Sequence, residues 1–271
     1  MSDSLVRGVV PGPNLKWAAC LTAGLRSEAA QMHGLASGSA DILGEALNAA
    51  VLLAALQKGS TRINLQVECD GPLRGLFVDA SADGQVRGYV KETQLHGTAA
   101  VLGRSGFLSV LRDLGQGEHY RSSVELSAME LSTDLERYFA TSDQVPTRVA
   151  LHPTGGVLLQ CLPGADPAEL ERVATRLGDR LRAAVGKAAG STAVAAKELF
   201  GDEPFEVLAT YPLAWKCTCS KDRVMRALAT VGAEELTDMI ERDGKASAKC
   251  QFCGRAYEVS ADELRGLLPK A

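Results

Sequence analysis

The chain has 271 residues and a mass of 28.6 kDa, enough for one large domain or two unequal ones with a real core. Hydrophobic residues make up 46% and charged residues 23%, which excludes a disordered or collagen-like chain. The 29 basic against 33 acidic side chains leave a formal charge of -4, so there is no basic excess to hold a polyanion. The longest strongly apolar stretch, Ala49 to Leu56, is short of a membrane span, and Met1-Ser-Asp-Ser-Leu-Val-Arg-Gly lacks the basic-then-apolar pattern of a signal peptide. These features point to a water-soluble, cytoplasmic protein.

The first strand-length apolar run is Leu15 to Ala23, which contains Trp17 and Cys20. Ser39-Ala-Asp41 precedes a helical stretch in which Leu43, Leu47, Val51 and Leu52 recur near the 3.6-residue period, with Lys58 and Gly59 as its stop. Ile63, Leu65, Val67 and Cys69 alternate with polar residues as a half-buried strand does. Gly75 to Ala80 and Val86 to Val90 flank Asp83-Gly84, a hairpin signal. A short helical piece carries Leu135, Tyr138 and Phe139. Strand candidate Val145 to Leu151 follows, and a turn at Gly155-Gly156 leads into Val157 to Leu162. Hairpins and helices without a strict βαβ rhythm read as an α+β core domain over 1–165.

The pattern changes after Pro163-Gly164. Asp166 suits a helix cap, with Pro167 at the first helical position and Glu169 at capping-box spacing. Leu170, Val173, Leu177, Leu181 and Val185 form a narrow apolar seam, and Gly178, Gly186 and Gly190 weaken it by about 0.5–1 kcal/mol for each interior glycine. A helical linker over 166–210 is expected, with ordinary helices broken at the glycines as the plain alternative. A small domain over 211–271 follows. It has candidate helices around Val224 and Leu228 behind Ser220, and around Leu236, Met239 and Ile240 up to Gly244. Lys245 to Lys249 should pair with Tyr257 to Val259, and Ser260 with Glu263 should cap a closing helix. A unit this short needs a staple.

The seven cysteines supply one. Cys20, Cys69 and Cys161 lie in apolar runs and read as small buried hydrophobes. Cys217-x-Cys219 and Cys250-x-x-Cys253 are two close pairs, the ligand pattern of a tetrahedral four-thiolate Zn²⁺ site and, less well, of an iron–sulfur cluster. At bond lengths of about 2.3 Å adjacent sulfurs would sit about 3.8 Å apart, so disulfide formation competes with the metal for sulfurs already juxtaposed. Because metal binding at such a site is also folding energy, oxidation should unfold the unit. A closed, purely structural zinc site is the plain alternative. From Lys216 onward ten Lys and Arg face nine Asp and Glu, so with a Zn²⁺ on four thiolates the region sits near -1, which disfavours a nucleic-acid module. His33, His96, His119 and His152 form no ligand pair, and no catalytic motif argues for an enzyme.

Trp215-Lys-Cys-Thr-Cys-Ser220 with Arg223, and Cys250-Gln-Phe-Cys-Gly-Arg-Ala-Tyr257, resemble the redox-regulated chaperones of the heat-shock-protein-33 family. Gly71-Pro-Leu73, Gly84-Gln-Val-Arg-Gly-Tyr-Val90, Asp134-Leu135 with Tyr138-Phe139, Ser142-Asp-Gln144 and Gly155-Gly-Val-Leu-Leu-Gln160 extend the resemblance over nearly the whole chain. Asp143 and Gln251 stand where the family commonly has glutamate. The resemblance implies a cytoplasmic holdase that needs no nucleotide and binds unfolded client proteins under oxidative stress. When reduced, one Zn²⁺ per chain would be held by Cys217, Cys219, Cys250 and Cys253. On oxidation, Cys217–Cys219 and Cys250–Cys253 disulfides would form, the metal would leave, the linker would loosen and the chain would tend to dimerise. The tighter Cys-x-Cys ring is expected to be the more strained, so Cys250–Cys253 should close first. The reading from another class is a zinc-stapled interaction or nucleic-acid-binding protein without redox switching.

Overall fold

The computed structural model describes residues 3–57, 59, 61–115, 117–188 and 191–268. They fall into two compact units, Met1–Lys216 and Cys217–Ala271, with mixed α and β structure.

The first unit runs β1 (Ser4–Val10), β2 (Leu15–Leu21), α1 (Ala23–His33), α2 (Ser37–Ala55), β3 (Arg62–Cys69), β4 (Gly75–Ser81), β5 (Gln85–Val90), β6 (Gly106–Gly115) and β7 (Glu118–Glu125). It continues with α3 (Leu131–Tyr138), a π-helical turn (Phe139–Asp143), β8 (Thr147–His152), β9 (Gly155–Cys161), α4 (Pro167–Ala174), α5 (Leu177–Lys187), α6 (Thr192–Phe200), β10 (Glu206–Pro212) and β11 (Ala214–Trp215). One sheet has the order β10-β1-β2-β9-β8 and the other β11-β5-β4-β3-β6-β7. Every pairing is antiparallel except the short β11–β5 contact.

Helix α2 explains the arrangement. Sixteen of its 19 residues are buried, because it packs in one core with Ala18, Cys20, Val149 and Leu158 from the first sheet and Ile63, Leu65, Val67 and Val78 from the second. A helix apolar on every side must be enclosed on every side. Its apolar character runs well beyond Ala49 to Leu56, so by length and composition it could cross a membrane, yet 89% of that window is buried inside the fold. Gly44 allows the close approach: a Cβ there would stand 2.1 Å from the Pro153 carbonyl oxygen. The helix starts at Ser37, ahead of the expected cap, and Ser39 is buried within it, donating to the Glu92 carbonyl at 2.8 Å. It ends at Ala55, before Gly59; Lys58 lies outside the described residues. Gly155-Gly156 belong to β9 rather than to a turn, paired with β2 on one side and β8 on the other, and a side chain at 156 would press on Leu52 and Asn48.

The other face of the first sheet carries α4, α5 and α6, where Trp17 meets Phe200 and Phe205 edge-on at 4.9 and 5.8 Å. Two features of the expected linker differ here. The break between α4 and α5 falls at Arg176, in the left-handed region at φ 57°, while Gly178 and Gly186 stay helical; Gly190 lies outside the described residues. The helical segment also stops at Phe200, because Glu206–Pro212 pairs with β1 as an edge strand. The boundary between units therefore follows Lys216 rather than residue 210. Asp166 caps α4 through the Ala168 amide, but Glu169 turns to Arg172 instead of closing a box.

The second unit contains α7 (Lys221–Leu228), α8 (Ala233–Arg242), β12 (Lys245–Lys249), β13 (Ala256–Ser260) and α9 (Ala261–Arg265). Ser220 caps α7 through the Arg223 amide, Gly244 (φ 65°) leads from α8 into β12, and Ser260 with Glu263 forms a complete capping box. Among its described residues only Leu236, Val259 and Leu264 are fully buried hydrophobics.

Candidate metal centre

Each cysteine pair is delivered by its own local device. Cys217 and Cys219 lie on the extended segment that Ser220 ends by capping α7. Cys250 and Cys253 sit in the turn between β12 and β13. There the Cys250 amide donates to the Arg255 carbonyl at 2.9 Å and the Gly254 amide to the Cys250 carbonyl at 2.8 Å. Gly254, at φ 69°, supplies the left-handed residue the turn requires.

The four Sγ atoms lie within 4.8 Å of one another. Cys217 and Cys250 approach to 3.7 Å and Cys219 and Cys253 to 3.4 Å, close to the edge of about 3.8 Å expected for sulfurs around one tetrahedral ion. Four half-buried thiols at this spacing, without a carboxylate or imidazole among them, can hold a metal ion. The four histidines all belong to the first unit.

The thiols are not equivalent. Burial pushes Cys250 up, and burial followed by the neighbouring sulfurs pushes Cys253 up to about 12. At Cys219 burial acts in the same direction but is outweighed by hydrogen bonds, first from Tyr257 and then from the other cysteines, and the thiol falls to about 7. The Tyr257 hydroxyl donates to Cys219 Sγ at 3.0 Å. No spacing rule singles out this tyrosine, which lies on β13 opposite Ala248, 38 residues from its sulfur partner. The remaining cysteines stand apart from the cluster. Cys20 is buried, donates to Asn48 Oδ1 at 3.4 Å and is pushed up to about 12 by burial. Cys161 is buried, and Cys69 is half-buried.

The family model described as Hsp33 protein matches residues 3–260. The chain belongs to the Hsp33 family. Among its relatives is the 33 kDa chaperonin of Acaryochloris marina, 36% identical over 99% of this chain and 97% of the relative. The 33 kDa chaperonin of Geobacter sulfurreducens is 35% identical over 98% and 95%. The crystal structure of an Hsp33 homologue, a 33 kDa chaperonin from Thermotoga maritima, superposes with a TM-score of 0.83, covers 98% of both chains and is 24% identical, so the two share a fold. The two departures noted in the sequence sit differently within this Hsp33 fold. Gln251 is exposed on the cysteine turn, whereas Asp143 forms an ion pair with Arg112 at 2.6 Å that ties the π-helical turn to β6.

Proposed function

We propose that the chain is a redox-regulated holdase chaperone of the cytoplasm, quiescent while Cys217, Cys219, Cys250 and Cys253 hold one Zn²⁺. The observation that carries this reading is the convergence of four thiols, from two segments 33 and 34 residues apart, in a unit whose own apolar core is minimal. The metal would supply the folding free energy that such a core lacks. Formation of Cys217–Cys219 and Cys250–Cys253 disulfides withdraws the four ligands, and the unit loses its staple.

A client-binding surface is available in the first unit. Twenty buried residues, among them Val6, Leu15, Trp17, Leu159, Leu181 and Phe200, form the apolar layer between the first sheet and α4–α6. Loss of fold beyond Cys217 would act through the chain on β11 and β10 and then on these helices, uncovering apolar surface for unfolded proteins. The oxidised chain would pair into a homodimer. Nucleic acid, membranes and an enzymatic turnover have no place in this reading.

The test is light scattering from a chemically unfolded client diluted into buffer, run with zinc quantification before and after peroxide. Suppression by oxidised, zinc-depleted protein and none by reduced, zinc-loaded protein is the expected result. Equal behaviour of the two forms would overturn the proposal in favour of a zinc-stapled protein without switching.

A further inference from the structure

Strand β13 brings to the metal centre a group from outside the cysteine pattern. Tyr257 is half-buried, and its hydroxyl donates to Cys219 Sγ at 3.0 Å. Cys219 thus receives a side-chain donor that a phenylalanine would remove while keeping the ring.

With a metal bound, all four ligands are thiolates. The fraction ionised then no longer distinguishes them, and electron density on sulfur does. An O–H···S bond draws on the sulfur lone pair that must attack the oxidant. We propose that Tyr257 is a positioning residue that sets the oxidation threshold of Cys219, so that the Cys217–Cys219 pair resists peroxide while the metal is in place. This deepens the redox reading above and rests on it.

The step it restrains is a two-electron oxidation by a peroxide. The Cys219 thiolate attacks one peroxide oxygen, an S–O bond forms as the O–O bond breaks, and the departing hydroxide takes a proton to become water. The Cys217 thiolate then attacks the sulfenic sulfur, an S–S bond forms, and the second hydroxide leaves as water after protonation. The two sulfurs together lose two electrons and one peroxide becomes two waters.

The experiment uses the full-length, zinc-loaded chain and Tyr257→Phe. Hydrogen peroxide is the oxidant, with timed alkylation read by mass spectrometry, metal release followed in parallel, and absorption spectra of the cobalt(II)-substituted proteins. In the variant, oxidation at Cys219 should quicken about three- to tenfold, the worth of one hydrogen bond, while Cys250 and Cys253 change less than about twofold. The sulfur-to-cobalt charge-transfer band should move to lower energy with the tetrahedral ligand-field bands unchanged, a shift that mere loosening would not produce. Equal rates in both proteins, or uniform acceleration at all four cysteines with an unmoved band, would overturn the proposal. If Tyr257→Phe fails to hold metal, Tyr257→3-fluorotyrosine, which keeps the ring and makes the hydroxyl a stronger donor, carries the same test with the opposite sign. Slowing confined to Cys219 then supports the proposal and its absence refutes it. A wild-type chain that holds no metal, or keeps it through peroxide, removes the redox reading and this proposal together. A wild-type chain that switches while Tyr257→Phe matches it removes this proposal alone.

Discussion

The two units are held together in opposite ways. The first encloses an almost wholly apolar helix, α2, between two sheets, so its stability is distributed over dozens of buried side chains. The second buries three hydrophobic residues among those described and concentrates four thiols at one point. Burial worth about 25 cal/mol per Å² accumulates in the first and hardly begins in the second. A distributed core tolerates chemical insult, whereas a concentrated one can be removed by changing four atoms. That contrast is what the proposed switch requires.

The largest expected effect comes from removing the metal. A structural zinc site contributes about 10–16 kcal/mol to folding in isolated zinc-binding peptides. Cys253→Ser, or chelation of the wild type, should abolish hydrogen-exchange protection in α8, β12 and β13 while α2 keeps its own. Retained protection in the second unit would break the comparison. A cavity in the other core should do the reverse. Leu47 is fully buried in α2, so Leu47→Ala should cost about 2–5 kcal/mol, read as an earlier thermal unfolding of the first unit with the metal stoichiometry unchanged.

A smaller effect should depend on pH. Burial, followed by the charges of Asp41 and Glu130, raises the Glu45 carboxyl from its ordinary 4.5 to about 7. Between those values the folded chain binds more protons than the unfolded one, so stability is fullest below pH 4.5 and falls as pH rises toward 7. The shift corresponds to at most about 3 kcal/mol, and partial solvent contact reduces this to about 1–2. Glu45→Gln should therefore stabilise the first unit at pH 8 by about that amount and leave it unchanged at pH 4. Denaturant titrations at the two pH values check both the sign and the size.

The smallest effect concerns α5. A Cβ at Gly178 or Gly186 would enter open space, and neither residue has positive φ. Alanine at both sites should stabilise α5, by about 0.5 kcal/mol for each because both lie near the helix ends. Under the proposed switch, this should also slow client capture after oxidation; a faster onset would argue against release of α4–α6.

The candidate site was largely legible in the sequence because cysteines at ligand spacing carry their chemistry in their identity. The β3 alternation and the Ser260–Glu263 box were legible for a similar reason: each is a local pattern with a local cause. Other features were not, β1, α1, β6 and β7 among them, and three show why. Arg176 takes a left-handed conformation that a glycine would have advertised. Strand β10 is an edge strand with exposed Val207 and Leu208, so no buried face imposes an apolar alternation, and Glu206–Pro212 reads as linker. Tyr257 acquires its partner only when β13 and the segment before α7 come together, a juxtaposition across 38 residues that no local spacing encodes.

The close sulfur approaches, Cys217 to Cys250 and Cys219 to Cys253, join one cysteine pair to the other. A metal held there closes a loop of some thirty residues around α7 and α8, a constraint on the unfolded chain comparable to a cross-link worth about 3–4 kcal/mol. The proposed disulfides, Cys217–Cys219 and Cys250–Cys253, join near neighbours and close rings of only a few residues. The same four sulfurs would then remain covalently tied, yet the large loop would be open. Oxidation in this scheme changes the topology of the chain, and a bond-forming reaction acts as a release.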